Sequence, residues 1–447
     1  MKSITPDEAR QLIREGELKT HEQRMLTAQD RLRDLVEFAR THSVYFKKAY
    51  EGLSNEYQLC DLPITTKAAL MENYEEWVTD TNITLSGLRA YLADMKNVSE
   101  NYLGRYTALT TSGTTGDPMP MVRDSYRNII HSTLIEQRLF RGIDPKDMAP
   151  FTKRACVIAT NGFVSSYSSA LRKKEQLGEH SDKLEILSLL TPMDQLVEQL
   201  NAHDPKILSG YPSVLEVLAK EKDKGTLKIE PKLIASSAET LSPEMFAILQ
   251  QAFHCPVLNN YCSTEGGEIA MSCPKGRLHL NEDWILLEPV DDDGQPVKQG
   301  EWSSGVLITD LTNYIQPIIR YYVNDSVCFS EHQCECGSNL PVIEISGRVG
   351  DSLLFNEKTV PFLIFNSVFR KVQDLVRWQL IQIGKSTLEV RFFEKIGTDR
   401  TIIGAEIEEV LKKFFLEYEC GDVEIVISND DFIKAHGGKV PYVIKQI

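Results

Sequence analysis

A run of hydroxyl and glycine residues from Thr110 to Pro118 is the part of the sequence best suited to bind phosphate. It reads Thr-Thr-Ser-Gly-Thr-Thr-Gly-Asp-Pro. Its hydroxyls and amides are closely spaced donors, and glycine lets the backbone approach a polyphosphate. The run is not a Walker loop, which would end in Gly-Lys-Ser/Thr. Composition alone leaves an ordinary surface loop open as the alternative.

Three cysteines and one histidine have the spacing of metal ligands. Cys273 and His279 form a C-x5-H pair, and Cys334 and Cys336 form a C-x-C-G pair. A Cys3His set suits tetrahedral Zn²⁺ in a structural site, because four protein ligands leave no open position. The alternatives are unrelated thiols and His332 as a competing ligand. The other cysteines lack such spacing and are expected to be small buried hydrophobes: Cys60, Cys156, Cys255, Cys262, Cys328 and Cys420.

The elements that must position these residues form an α/β pattern. Short β-rich runs alternate with helical patterns from about 105 to 347, which is typical of a largely parallel sheet. Residues 6–50 predict two helices within a helical segment at 1–60. Ile285–Val290 and Gly305–Asp310 predict antiparallel strands joined by a tight turn at Asp291–Gly294. A boundary near residue 350 predicts an N-terminal body at 1–350 and a small, mobile α+β domain at 351–447.

Composition excludes several classes of protein. The chain has 447 residues, 42% of them hydrophobic and 25% charged, which argues against disorder, a fibrous repeat or a disulfide-stapled miniprotein. The net charge of −15 disfavours nucleic acid and anionic membranes as partners. No apolar run approaches the ~20 residues of a membrane-spanning helix. Residues 1–18 carry four acidic side chains and no apolar core of a signal peptide, so we expect a cytoplasmic protein.

The order of several motifs resembles that of the adenylate-forming superfamily, which includes acyl-CoA ligases, peptide-synthetase adenylation domains and luciferases. The match begins with the phosphate loop, Ser112-Gly113-Thr114-Thr115-Gly116. The further motifs follow in family order: Ser237-Ala238-Glu239 is similar to the adenine-contacting segment, Tyr261-Cys262-Ser263-Thr264-Glu265 to the Tyr-Gly-x-Thr-Glu motif, Pro317–Asp325 to the segment ending in the ribose-binding aspartate, Gly347–Asp351 to the hinge, and Gly438-Lys439 to the catalytic lysine motif.

Within that superfamily the chain most resembles the phenylacetate-CoA ligase family. The family-like segments are Leu32–Val36 with Ala39, Leu62–Lys67 followed by Asn73-Tyr74, and Cys334–Gly337 before Pro341. The resemblance implies an α/β fold with a large multi-sheet N-terminal body and a small α+β C-terminal lid. Some members of the family carry a metal at the cysteine knuckle, in keeping with the Zn²⁺ hypothesis.

The resemblance also implies an activity: ATP-dependent adenylation of an aryl or arylacetic acid, followed by transfer to the thiol of coenzyme A. Glu265 would hold Mg²⁺, the loop Ser112–Gly116 would bind the β,γ-phosphates, and Lys439 would neutralise the carboxylate and α-phosphate. Asp325, assisted by Arg348, would bind the ribose, and Asp351 would be the pivot of the lid. Further nucleotide contacts are expected from Ser237, Ala238, Glu239, Tyr261 and Thr264, and an acid pocket from Tyr126, Phe163, Tyr167 and Tyr211.

The sequence departs from the family pattern at three places. Met119-Pro120 stands where the loop usually continues with lysine, Cys262 replaces a glycine, and residues 355–361 replace the Arg-Gly-x-Asn-x-Pro stretch associated with thiolation. An enzyme that loads a carrier-protein phosphopantetheine or an amine is therefore kept as the alternative. A third reading is an inactive sensor of an acid or nucleotide, which the retained Glu265, Asp325 and Lys439 disfavour. A carrier protein and a second copy of the chain stay open as partners.

Overall fold

The computed structural model describes residues 2–111, 118–347, 352–356, 358–369, 371–395, 397–433 and 442–446. Within these ranges, none of the helices combines the length and the apolar composition that crossing a bilayer requires.

The described residues form helices before the first strand and between many of the later strands. The N-terminal helical segment holds three helices rather than the two predicted, and Thr5 and Thr20 begin the first two with reciprocal capping boxes. The helices are α1 (Pro6–Leu18), α2 (His21–His42), α3 (Val44–Ala49), α4 (Lys67–Glu72), α5 (Tyr74–Trp77), α6 (Leu85–Leu92), α7 (Ser125–Leu134), α8 (Ser165–Gln176), α9 (Met193–His203), α10 (Pro212–Asp223), α11 (Pro243–Phe253), α12 (Phe362–Phe369) and α13 (Arg400–Glu417). A π turn at Ile135–Leu139 continues α7.

The strands of the described residues fall into several sheets. They are β1 (Asn101–Tyr102), β2 (Tyr106–Thr110), β3 (Pro120–Arg123), β4 (Arg154–Ile158), β5 (Leu184–Ser188), β6 (Ile207–Gly210), β7 (Leu233–Ser237), β8 (Val257–Ser263), β9 (Gly267–Ser272), β10 (Leu278–Leu280), β11 (Ile285–Val290), β12 (Gly305–Asp310), β13 (Tyr321–Val323), β14 (Ser326–Phe329), β15 (Val342–Gly347), β16 (Ser352–Phe355), β17 (Lys358–Pro361), β18 (Leu375–Gly384), β19 (Thr387–Glu394), β20 (Glu424–Ser428) and β21 (Val443–Lys445).

The largest sheet of the described chain has the strand order β14-β15-β10-β9-β8-β7-β6-β4-β5. From β8 to β5 the strands are parallel, and helices α8 to α11 connect them, which confirms the predicted α/β architecture. The sequence order reverses between β4 and β6. Ligands of such sheets bind beyond the carboxyl ends of the strands at this kind of switch point.

The tight turn predicted at Asp291–Gly294 is present between β11 and β12, but it does not join the two strands directly. The turn exists, with Gly294 N–H donating to the Asp291 carbonyl at 3.0 Å, but residues 295–304 lie between it and β12. These residues cover the edge of β14, where Gly300 and Ser303 donate backbone hydrogen bonds to the Phe329 and Val327 carbonyls. Strands β11 and β12 do pair antiparallel, as expected.

The C-terminal residues form a small α+β unit. Strands β20-β19-β18-β21 make one sheet, a β16-β17 hairpin precedes it, and α12 and α13 pack with both. The buried apolar residues of this unit form one cluster with those of the parallel part of the large sheet. The fold class expected from the sequence, a multi-sheet body with a small α+β C-terminal part, is confirmed.

Candidate functional site

Several predicted site residues lie outside the described residues: Ser112–Gly116 of the phosphate loop, Arg348 and Asp351 near the hinge, and Lys439. The residues that flank the phosphate loop are described. Thr111 N–H donates to the Met119 carbonyl at 3.1 Å, and the Thr111 hydroxyl accepts from Met119 N–H at 2.9 Å. Both ends of the loop are therefore joined by the β2–β3 pairing.

The segments that lead to and from Lys439 are also described. Gln379 on β18 binds Ile433 twice, donating to its carbonyl at 2.9 Å and accepting from its N–H at 2.8 Å. The next residue, Leu380, donates its N–H to the Tyr442 carbonyl at 2.7 Å. Residues 433 and 442 are thus anchored to adjacent positions of one strand.

Three of the motifs predicted to bind nucleotide are neighbours at the carboxyl edge of the large sheet. Ser237, at the end of β7, pairs with Asn260 of β8, the residue before Tyr261. The Tyr261 hydroxyl donates to Asp325 Oδ2 at 2.7 Å, and Asp325 is buried. Glu265 follows in the turn that joins β8 to β9. The fold therefore makes neighbours of motifs that are up to 88 positions apart in the sequence, and Tyr261 and Asp325, 64 positions apart, are in direct contact.

Glu239 has a structural partner that the motif comparison did not anticipate. Its Oε2 accepts the backbone N–H of Ser213 at 3.1 Å, in the first turn of α10. A carboxylate at a helix N-terminus satisfies a free N–H and interacts favourably with the helix dipole. Ala238, just before it, has φ of +71°, a left-handed conformation unusual for a residue with a Cβ. Glu239 thus fixes the start of α10 beside the nucleotide motifs.

The Thr264-Glu265 turn is held by buried arginines that sequence reasoning missed. Arg123 Nη2 donates to the Thr264 carbonyl at 2.8 Å, and Arg127 Nη2 donates to the Glu265 carbonyl at 3.1 Å. Arg127 Nε donates to Asp310 Oδ2 at 2.6 Å. The turn is therefore tied through α7 to the end of β12.

His131 completes this network one helical turn further along α7. Its Nδ1 accepts the Glu268 N–H at 2.9 Å, and its Nε2 faces the Thr312 hydroxyl at 3.0 Å. Nδ1 is thus the unprotonated nitrogen, and burial lowers the pKa of His131. Gly267 has φ of +66°, and a Cβ there would lie 2.2 Å from His131 Cε1. The i, i+4 spacing of Arg127 and His131 on one helix face is the sequence signal that could have revealed the network.

Burial and mutual charge perturb the ionisation of this network. Burial and the neighbouring Arg127 lower the pKa of Arg123 to about 9. Burial acts to raise the pKa of Asp310, but the Arg127 charge together with the interactions of His131 and Thr312 outweighs it and holds that pKa well below its usual range. Asp310 is fully buried and Arg127 nearly so. The pairing of the two charges offsets part of the free-energy cost of removing each from water.

The predicted metal ligands come together. Ligand atoms of Cys273, His279, Cys334 and Cys336 all lie within 4.8 Å of one another. The Cys273 and Cys334 sulfurs are 3.6 Å apart, and Cys336 Sγ is 3.4 Å from His279 Nε2. Within the described residues the cluster contains His279 and not the competing His332.

The surroundings of the cluster fit a tetrahedral cation. His279 Nδ1 lies 3.0 Å from the Leu340 carbonyl, a hydrogen bond that leaves Nε2 as the free ligand atom. Burial raises the pKa of the Cys336 thiol to about 11, whereas a coordinated cation deprotonates a thiol outright. Three thiolates and one imidazole are the donor set of a structural Zn²⁺ site. Of the other cysteines, Cys328 and Cys420 are buried as expected, and Cys156, Cys255 and Cys262 are half-buried. The expectation is wrong for Cys60, which is exposed within the turn at Leu59–Asp61.

The four aromatic candidates for an acid pocket occupy two regions. Phe163 and Tyr211 follow β4 and β6, the neighbouring strands at the switch point, and both are buried. The Tyr211 hydroxyl lies 3.0 Å from Ser166 Oγ, next to the half-buried Tyr167. Tyr126 instead lies on α7, edge-on to the Tyr314 ring at 6.0 Å.

Comparisons with known proteins give two curated relatives and a set of structural neighbours. No protein-family model matches the chain. It is 27% identical over 225 residues to the protein CapK of Staphylococcus aureus, covering 48% of each chain. It is also 27% identical over 225 residues to the phenylacetate-coenzyme A ligase of Thermus thermophilus, covering 46% of this chain and 50% of the ligase. The chain thus matches about half the length of these curated relatives.

Solved structures of one CoA ligase align with 96% of this chain. A 2-hydroxyisobutyryl-CoA ligase in complex with 2-HIB-AMP and CoA, in the thioesterification state, matches with a TM-score of 0.62 at 16% identity, covering 96% of this chain and 91% of the ligase. The same ligase in the postadenylation state with R3-HIB-AMP matches with a TM-score of 0.58, also at 16% identity and with the same coverage. The resemblance to the adenylate-forming superfamily is confirmed, and the chain has the fold of its acyl-CoA ligases.

Proposed function

We propose that the protein is an AMP-forming acid–thiol ligase, which adenylates an aryl or arylacetic acid with ATP and transfers the acyl group to coenzyme A. The observation that carries the proposal is the junction at the sheet edge. There the Tyr261 hydroxyl donates to Asp325 Oδ2 at 2.7 Å, and Ser237 of β7 pairs with Asn260, the residue before Tyr261. The Thr264-Glu265 turn follows at the end of the same strand, β8. These are the segments that the superfamily uses for one nucleotide.

In the first reaction a carboxylate oxygen of the acid attacks the α-phosphorus of ATP. The bond to the β-phosphate bridging oxygen breaks, so the products are acyl-AMP and pyrophosphate. Asp325 would accept hydrogen bonds from the ribose hydroxyls, and Ser112–Gly116 would bind the departing phosphates. Lys439 would neutralise the negative charge shared by the carboxylate and α-phosphate, because charge stabilisation is the main contribution to phosphoryl and nucleotidyl transfer.

Glu265 would hold the Mg²⁺ of Mg²⁺-ATP, and the neighbouring Thr264 would contact the nucleotide. The ion would offset the charge of the phosphate oxygens as pyrophosphate leaves. The chain's own contribution is a carboxylate on a turn whose backbone is bonded to Arg123 and Arg127.

In the second reaction the thiol of coenzyme A attacks the acyl carbonyl carbon and AMP leaves, with loss of the thiol proton. Lys439 is needed only in the first reaction. We therefore propose that residues 351–447 act as a mobile C-terminal domain that pivots at Asp351 and brings Lys439 to the body for adenylation. The body at 1–350 would hold the nucleotide and the acid throughout.

We also propose that Cys273, His279, Cys334 and Cys336 hold a structural Zn²⁺. Their ligand atoms lie within 4.8 Å of one another, and the Leu340 carbonyl orients the histidine. The ion would cross-link the β9–β10 turn to the 334–340 knuckle and take no part in catalysis, because four protein ligands fill its coordination shell.

The acid specificity of the proposal is supported by Phe163 and Tyr211, two buried aromatic residues at the switch point where such sheets bind ligands. A relative named phenylacetate-coenzyme A ligase supports the same substrate class and coenzyme A as acceptor. The alternative acceptors are a carrier-protein phosphopantetheine and an amine. Because residues 355–361 depart from the thiolation motif, the test includes both of these alternative acceptors.

The test is acid-dependent exchange of labelled pyrophosphate into ATP across a panel of aromatic acids. Product formation with coenzyme A, a phosphopantetheinylated carrier protein and simple amines follows for each active acid. We expect exchange with at least one aryl or arylacetic acid and thioester only in the presence of coenzyme A. Absence of exchange with every acid contradicts the proposed adenylation. Exchange without formation of an acyl-CoA contradicts the proposal that coenzyme A is the acceptor.

The role of Lys439 has its own test in the same assay. Lys439→Ala is expected to abolish exchange and to leave thiolysis of a supplied acyl-AMP largely intact. Lys445→Ala, which removes an exposed lysine of β21, is the matched control and should leave both reactions unchanged. Equal loss of both reactions in Lys439→Ala argues against a role confined to adenylation.

A further inference from the structure

Four backbone groups in and next to the turn between β8 and β9 are bonded to side chains. The carbonyls of Thr264 and Glu265 accept from arginines, Gly266 N–H donates to Ser263 Oγ at 2.8 Å, and Glu268 N–H donates to His131 Nδ1 at 2.9 Å. Ser263 is the last residue of β8, at the start of the turn, and the two arginines and the histidine come from residues 123–131. A single short stretch of chain thus determines the backbone from which the Glu265 side chain projects.

The arginines of this stretch are themselves held rigidly. Arg127 binds Asp310 through Nε at 2.6 Å, and its own N–H is capped by Asp124 Oδ1 at 2.9 Å. Asp310 accepts in turn from the Thr312 hydroxyl and N–H at 2.5 and 2.9 Å. Arg123 adds a bond from Nη1 to Ser165 Oγ at 3.2 Å. Both guanidinium groups are buried, and Arg127 is ion-paired with Asp310, whereas Arg123 is bonded to a hydroxyl and to the Thr264 carbonyl.

We propose that Arg123 and Arg127 are positioning residues for the metal–nucleotide site, because they hold the Thr264 and Glu265 backbone in the orientation that lets Glu265 bind Mg²⁺-ATP. The inference rests on the proposed function for the identity of the ligand. It adds a pair of residues that would act through the backbone of the turn. A metal-binding carboxylate gains affinity when neighbouring groups fix its orientation before the ion arrives.

The chain contains an internal comparison for this role. Arg138 is buried to a similar degree and binds Asp283 through two bonds of 2.8 and 2.9 Å, but its partners are side chains and no carbonyl of the 264–265 turn. Replacing Arg138 disturbs a buried ion pair of the same kind without touching the turn. It therefore separates general destabilisation from loss of positioning.

The experiment measures the binding of a non-hydrolysable ATP analogue by calorimetry, with Mg²⁺ and with EDTA, for the full chain. Lysine replaces arginine in each variant, Arg123→Lys, Arg127→Lys and Arg138→Lys, so that the charge is kept and the forked geometry is lost. We expect Arg127→Lys to weaken binding about tenfold or more with Mg²⁺ and less than twofold with EDTA. Arg123→Lys should follow the same pattern, which keeps the test available if Arg127→Lys does not fold.

Two results would overturn the inference. One is equal weakening with and without Mg²⁺ in the Arg123 and Arg127 variants, which indicates a general structural role. The other is the same Mg²⁺ dependence in these variants as in wild type and Arg138→Lys. Failure of the proposed function gives a different result, since wild type would then bind Mg²⁺-nucleotide yet show no acid-dependent pyrophosphate exchange, while the difference between the variants would persist.

Discussion

Gly267→Ala should destabilise the protein through two separable effects. Gly267 has φ of +66°, and the left-handed conformation costs an L-residue about 1–2 kcal/mol. A Cβ at this position would also lie 2.2 Å from His131 Cε1, far inside the ~3.5–4.0 Å of an optimal carbon contact. Forcing such an overlap in a packed site costs about 1–3 kcal/mol. The expected loss in free energy of unfolding is therefore about 2–5 kcal/mol, the sum of these two estimates.

Gly225→Ala is the matched control for this prediction. Gly225 also has a positive φ, +77°, but nothing lies within 4 Å of the position of its Cβ. Only the backbone cost of about 1–2 kcal/mol applies there. Denaturant unfolding followed by tryptophan fluorescence compares the two variants. The amount by which Gly267→Ala lowers the free energy of unfolding more than Gly225→Ala does then measures the cost of the overlap with His131.

A double-mutant cycle with His131→Ala identifies the partner. Removing the imidazole from the Gly267→Ala background should recover about 1–3 kcal/mol relative to the sum of the single losses, because the overlap disappears while the backbone cost remains. Two outcomes refute the reasoning. Either Gly267→Ala is no more harmful than Gly225→Ala, or the cycle shows no coupling between positions 131 and 267.

Further predictions concern the metal site, the buried ion pair and the helix cap. Cys336→Ser should reduce zinc from about one ion per chain to a trace by mass spectrometry, as expected if four ligands are required. Asp310 has a depressed pKa, so its stabilising contribution is present above the ordinary value near 4 and is lost as the pH falls. Asp310→Asn should thus lower stability at pH 7 and flatten its decline between pH 5 and 2. Glu239→Ala should cost about 1–2 kcal/mol, because Ser213 N–H loses its acceptor.

Controls decide each of these cases. Cys156→Ser should leave the zinc content unchanged, and a Cys336→Ser protein that keeps its zinc contradicts the proposed ligand set. An Asp310→Asn protein whose stability falls with pH as steeply as that of wild type shows that the Arg127 pair does not govern acid unfolding. Glu239→Gln retains an acceptor oxygen and should lose less stability than Glu239→Ala.

Much of the architecture could be predicted because local patterns are strong in this sequence. Short β-rich runs separated by helical patterns predict a parallel sheet, and the structure has strands at 154–158, 207–210, 233–237 and 257–263. The connection after the turn at 291–294 is longer than the sequence predicted, for a non-local reason. The turn signal is real, but the residues after it pair with β14 rather than returning at once as β12.

The metal ligands could be proposed from spacing, and the nucleotide motifs from their order. By itself the sequence determined the α/β class, the four candidate zinc ligands and the identity of the motifs. Each of these depends on residues that are close together in the sequence or that occur in a fixed order. Only the tertiary structure decided that Glu239 caps α10 and that Arg123, Arg127 and His131 hold the Glu265 turn. Those contacts join residues 26 to 141 positions apart. Such pairs are chosen by packing and by the need to satisfy buried polar and charged groups, neither of which leaves a local pattern.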